Sequence, residues 1–177
     1  MRSRYKYSDS ETIFNSKVVS KSKGNLTIFN EIMENQTKNS LEFVKTALKS
    51  ANIAILETEQ GDGAVVLQIK TDGGNKHNLF VQELDLQSNR SVKILKTDLG
   101  ERSGNLWIVL VLLMKGLEPI LCLILSTQLA EPDEFIFIEN DQNPRLSHFS
   151  NYEIKVFKNG MSKLNEFRFE NMVNQLS

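Results

Sequence analysis

The chain predicts an α+β fold: helices near the N-terminus, a central mixed or antiparallel sheet of hairpin-linked strands, and one closing helix. Two observations carry this. Apolar residues recur at helical spacing in 25–36, 41–48 and 162–176, while the middle of the chain reads as short β-rich runs. Those runs are joined by glycine turns rather than by helices: Gln60-Gly61-Asp62-Gly63, Gly73-Gly74-Asn75 and Lys115-Gly116. Helices, then hairpins, then a helix argue against alternating βαβ winding, and 177 residues suit one domain with an appended segment.

In chain order, residues 1–24 form a polar arm rich in Ser and Lys. Arg2, Arg4, Lys6, Lys17, Lys21 and Lys23 stand against Asp9 and Glu11, a surplus of four positive charges suited to phosphates or to an acidic partner face. The domain proper is residues 25–177. Leu26, Ile28, Phe29, Ile32 and Met33 share one helical face. Asn39 or Ser40 can cap a second helix, with Glu42 in its first turn and Leu41, Val44, Ala47 and Leu48 on its apolar side, ending near Ser50–Asn52.

From Ile53 the period changes. Ile53–Glu59 and Ala64–Thr71 read as a hairpin, and the unbroken apolar run Ala64–Leu67 suggests a strand buried on both faces. Asn78–Leu84 and Ser91–Lys96 follow as strands, then a polar loop over Asp98–Asn105. Leu106–Met114 and Leu117–Ser126 are the most apolar strands, expected centrally as a second hairpin. Glu134–Glu139 and Tyr152–Phe157 alternate as further strands around a loop at Asn140–Pro144, and Ser162–Leu176 reads as a single closing helix.

Composition narrows the function. A net charge of -1 is no signature of a nucleic-acid coat, though it permits a local basic face. The lone Cys122 rules out an internal disulfide framework, fits a reducing compartment, and reads as a buried small hydrophobe. His77 and His148 are too far apart in sequence for zinc spacing and read as a loop residue and a structural or exposed one; Trp107 reads as core. The N-terminus lacks the apolar region of a secretory signal. No run reaches the ~20 apolar residues of a membrane helix. A soluble cytoplasmic protein is therefore expected.

The stretch Ala64–Asp72 (AVVLQIKTD) carries the one chemical hint, Gln68 and Lys70 on alternate positions of a strand and so on one face. A helix bearing Glu42, a hairpin, then Gln68-x-Lys70 resembles the PD-(D/E)XK, or restriction-endonuclease-like, nuclease superfamily. That superfamily places an acidic residue on a first helix, another on a strand, and a (D/E/Q)xK triplet on the neighbouring strand. The later pair LWIVLVLLMKG and PILCLILS is similar to the strands that follow there, so the resemblance covers about Asn39–Phe157.

The resemblance implies a nucleic-acid-directed protein, either a metal-dependent nuclease or a catalytically degenerate relative. Mg2+ or Mn2+ would be held by oxygens of Glu42 and Glu57, with Gln68 and Lys70 as catalytic residues and Arg2, Arg4, Lys6 and Lys17 on the nucleic acid. Such a metal polarises a phosphate and activates water, and the lysine positions that water.

One departure stands out. In a hairpin centred on Asp62, paired numbers sum to about 124, so Lys70 faces Ala54 and Gln68 faces Leu56. The place of a metal-binding aspartate then holds apolar residues, so the centre is either degenerate or recruits Glu57 through a bulge. Glu57 and Glu59 otherwise read as an exposed strand face, and Glu83 with Asp85 as a solvated pair. The alternative expectation is a non-enzymatic protein-interaction module, an accessory or immunity-type subunit of a defence or toxin system that binds a protein partner or forms a homodimer.

Overall fold

The computed structural model describes residues 40–60, 65–131, 136–157 and 160–176. The basic arm with Arg2, Arg4, Lys6 and Lys17, and the helix expected over 25–36, lie outside the described residues.

A first helix, α1, covers residues 40–50. Ser40, Val44 and Leu48, spaced four apart, form its buried stripe. It ends where sequence chemistry dictates. Asn52 takes the left-handed conformation (φ 59°), which asparagine tolerates better than most residues. The Ile53 and Asn52 amides then return to the Leu48 and Lys49 carbonyls at 3.0 Å, a Schellman closure with Ile53 packed into the core.

Five strands build the main sheet: β1 (Ala54–Gln60), β2 (Val65–Lys70), β3 (Lys76–Asp85), β5 (Leu106–Leu113) and β6 (Ile120–Leu125), in the order β1-β2-β3-β5-β6. All neighbours run antiparallel except β3 and β5, which are parallel. The connection between those two contains β4 (Ser91–Leu95) and the single turn α2 (Lys96–Leu99). β4 joins β7 (Phe137–Asn140) and β8 (Asn151–Lys155) in a second, antiparallel sheet of order β4-β8-β7. The chain closes through the short turns α3 (Met161–Leu164) and α4 (Phe169–Met172). The architecture is thus mixed α+β, an open, mostly antiparallel sheet with helices at both ends of the described chain.

Several expectations are corrected. One central sheet becomes two, because β4 pairs with β8 rather than with its sequence neighbours. The apolar hairpin is not central: β3 is the middle strand and β6 the last, its edge met by a backbone bridge between Cys122 and Arg168. Burial on both faces belongs to β5, whose residues Leu106–Leu112 are all buried, while β2 alternates with Val65, Leu67 and Ile69 inward. The strand expected over Glu134–Glu139 is Phe137–Asn140, and residues 132–135 lie outside the described part. The closing helix is broken at Arg168, whose ψ of 144° is extended, so its apolar period is spent on short turns. The expected loops carry a helical turn at Lys96–Leu99 and a 3-10 segment at Pro144–Phe149.

The core lies on both sides of β5 and includes Leu67, Leu79, Ile108, Leu110, Leu123 and Ile154, each fully buried. Among the described residues, no helix is long and apolar enough to cross a membrane.

Candidate functional site

Strand alternation sorts the first three strands into an inner and an outer face. β2 sends Val65, Leu67 and Ile69 into the core and turns Val66, Gln68 and Lys70 the other way. In β3, register places Asn78 opposite Gln68 and Lys76 opposite Lys70.

β1 is less regular. Ala54 faces Lys70 and Ile55 faces Ile69, but Glu57, not Leu56, faces Gln68. Leu56 is the extra residue of a β-bulge, unpaired and exposed. The bulge shifts the parity of the strand: Glu57 shares the face of Gln68, and beyond Leu56 Ile55 falls opposite the core-facing Ile69.

The result is two polar rows across three strands. One row is Glu57, Gln68, Asn78; the next, at the strand ends, is Ala54, Lys70, Lys76. Directly opposed side chains have Cβ atoms about 5 Å apart, so neighbours in a row can share a small ligand. Glu57 is exposed, Gln68 and Asn78 half-buried, Lys70 and Lys76 exposed.

Glu42 does not join them. It lies on the side of α1 away from Ser40, Val44 and Leu48, with its side chain 71% exposed and its carboxylate on Lys45 at 3.0 Å. The first turn of α1 meets the opposite sheet face, where Ser40 hydrogen-bonds the Glu83 side chain. The metal-ligand role expected for Glu42 therefore has no geometric support. The residues that join Glu57, Gln68 and Lys70 instead are Asn78 and Lys76. Their signal was the Gly73-Gly74-Asn75 turn: a hairpin about Gly73 pairs numbers summing to 146, as Lys70 with Lys76 and Gln68 with Asn78 do.

The remaining candidates have structural partners. The Trp107 indole N–H donates to His77 Nδ1 at 3.3 Å, which makes Nε2 the protonated nitrogen, donating to the Leu176 carbonyl at 2.9 Å. His77 thus ties β5 to the C-terminal segment, and Trp107 is core, as expected. His148 packs against Phe149 at a ring separation of 4.0 Å. Cys122 is buried, and burial pushes its thiol pKa up to about 12, which keeps it protonated and unreactive.

Glu83 and Asp85 separate into different roles. Asp85 accepts from the Gln87 amide at 2.9 Å and the Ser88 hydroxyl at 2.8 Å, closing the β3–β4 turn, and these bonds lower its pKa. Burial raises the pKa of Glu83 against the lowering effect of Ser40, and its Oε1 has no hydrogen-bond partner among the described residues.

The densest charge cluster lies on the second sheet. Lys96 bonds both Glu139 and Asp141 and sits 4.9 Å from the Tyr152 ring centroid. Burial works against the Lys96 charge, but the two carboxylates outweigh it and raise its pKa. With its cation already matched by acids, this cluster reads as a clamp between β7, β8 and the end of β4.

The donors of the first row are one carboxylate and two amide oxygens. Hard divalent cations accept such ligands and complete their shell with water, so the set fits Mg2+ or Mn2+, weakly, for want of negative charge. Among the described residues, no three His, Cys, Asp or Glu side chains gather as a metal cluster. No known protein family, curated protein or solved structure matches the chain.

Proposed function

We propose that the chain is a nucleic-acid-directed protein of PD-(D/E)XK-like, restriction-endonuclease-like design, cleaving phosphodiesters slowly with the help of Mg2+ or Mn2+. The observation that carries this reading is the β1–β2 register, which sets Glu57 opposite Gln68. It supplies the acidic residue that a turn centred on Asp62 would withhold, on the strand next to the Gln68-x-Lys70 triplet. The element order, a helix and then two antiparallel strands with the triplet on the second, supports the same reading.

Each residue has a defined part. Glu57, Gln68 and Asn78 would hold the cation, which polarises a phosphate oxygen and lowers the pKa of bound water. Lys70, two residues along the same face from Gln68, neutralises charge at the phosphate and orients the attacking water. The exposure of Glu57 leaves room for a polymer to approach.

The test is cleavage of DNA and RNA in Mg2+ or Mn2+ by the full chain. The natural protein should cut, and Lys70→Ala should reduce the rate by about 100-fold, the usual loss for one charge-stabilising group. A folded natural protein that cuts neither substrate in either metal contradicts the proposal.

A further inference from the structure

We infer that Lys70 and Lys76 together form a seat for a backbone phosphate of nucleic acid, one residue pair along from the Glu57–Gln68–Asn78 row. The inference rests on the reading above for its choice of phosphodiester as the anion, and on the backbone register for everything else.

The register sets Lys70 directly opposite Lys76. The Thr71 amide bonds the Asn75 carbonyl at 3.0 Å, while the Asn78 amide turns away from β2 to the Asn105 carbonyl at 2.8 Å. The hydrogen-bonded positions therefore fall at 71/75 and, by alternation, at 69/77. The pairs 70/76 and 68/78 fall at the close, non-bonded positions, where Cα atoms are about 4.5 Å apart.

Like charges directly opposed in this way repel. Lys45 has Glu42, and Lys96 has Glu139 and Asp141, but neither Lys70 nor Lys76 makes an ion pair among the described residues, even with Asp72 in the intervening turn. The third place in their row is Ala54, whose methyl group leaves the flank of Lys70 open.

Two exposed ammonium groups held side by side by the backbone suit the two non-bridging oxygens of one phosphodiester. A strand seated there runs its next phosphate toward Glu57 and Gln68. Lys76 is thus a binding residue, distinct from the positioning of water assigned to Lys70.

The experiment measures binding without cleavage. Labelled single- and double-stranded DNA is titrated with the full chain in EDTA, by fluorescence anisotropy, across a salt series. Each phosphate contact contributes about 0.7 to 0.9 to the slope of log affinity against log salt. Because the two lysines share one phosphate, the double variant Lys70→Gln with Lys76→Gln should flatten the slope by about that amount, each single variant by part of it, and Lys76→Arg should preserve it. Both lysines are exposed, and circular dichroism is the check that the variants fold.

An unchanged slope for Lys76→Gln, or a natural chain that binds no DNA at low salt, overturns the inference. An equal loss of binding to polyglutamate overturns it in favour of an acidic protein partner. Cleavage without a slope change removes the seat and leaves the nuclease reading standing. A slope change without cleavage does the reverse.

Discussion

At the scale of single residues, Glu83 is the side chain most at odds with its surroundings. It stands on β3 where α1 covers the sheet, half-buried, with one carboxylate oxygen unpartnered among the described residues. Its pKa is raised above the ordinary 4.5 by burial, so the folded state holds the proton more tightly than the unfolded chain does. Glu83 thus favours folding most below pH 4.5, and the benefit is lost as pH rises through the folded value. Glu83→Gln, which keeps the shape and removes the charge, should raise the melting temperature at pH 7 by a few degrees. The gain should shrink to nothing as pH falls below 4.5, in thermal melts across a pH series. A constant gain at all pH values would mean that charge burial is not the cause.

Residue identities at this scale were partly legible. A lone cysteine and a lone tryptophan in apolar runs read as core, and both are buried. The pairing of Trp107 with His77 was not legible, because the two are 30 residues apart and meet only through β3 and β5.

At the scale of elements, the bulge in β1 decides which side chains share a face. Paired numbers sum to 125 from the turn, at Gln60–Val65, out to Glu57–Gln68, and to 124 beyond the bulge, at Ile55–Ile69 and Ala54–Lys70. The sequence therefore placed Lys70 opposite Ala54 correctly and Gln68 wrongly opposite Leu56. Nothing local distinguishes a bulged leucine from a paired one. The shift arises from two demands, Ile55 on the core-facing side and the charged Glu57 and Glu59 outside, that strict alternation cannot meet together.

A deletion pair tests this account. Removing Leu56 should restore a regular ladder with every present pairing kept, and cost about 1 kcal/mol or less in urea unfolding. Removing Thr58, an exposed but paired residue, should turn one half of β1 over, bring polar groups inward, and cost several times more. Equal costs would mean that Leu56 is not the extra residue.

At the scale of the whole molecule, the fold class was legible and the long-range layout was not. Turn glycines and alternating runs mark the strands one by one. They do not say that β3 pairs in parallel with β5, or that the segment between them leaves for a second sheet with β7 and β8. Those choices are made by burial: β5, apolar on both faces, is stable only with cover on both sides. The closing helix failed for a related reason. Apolar spacing over Ser162–Leu176 satisfies the core just as well when the chain opens at Arg168 to bridge the edge of β6. The position of Glu42 was not legible either, since helical spacing gives a residue's face on α1 but not the sheet face on which α1 sits.

The central claim is that Glu57, Gln68 and Asn78 converge on one cation. Paramagnetic broadening by Mn2+ in amide NMR spectra tests it most directly. Broadening should centre on residues 57, 68 and 78, be competed by Mg2+ and be lost in Glu57→Gln, while Glu42→Gln leaves it unchanged. Broadening centred on Glu42, or spread evenly over exposed carboxylates and indifferent to Glu57→Gln, would contradict it.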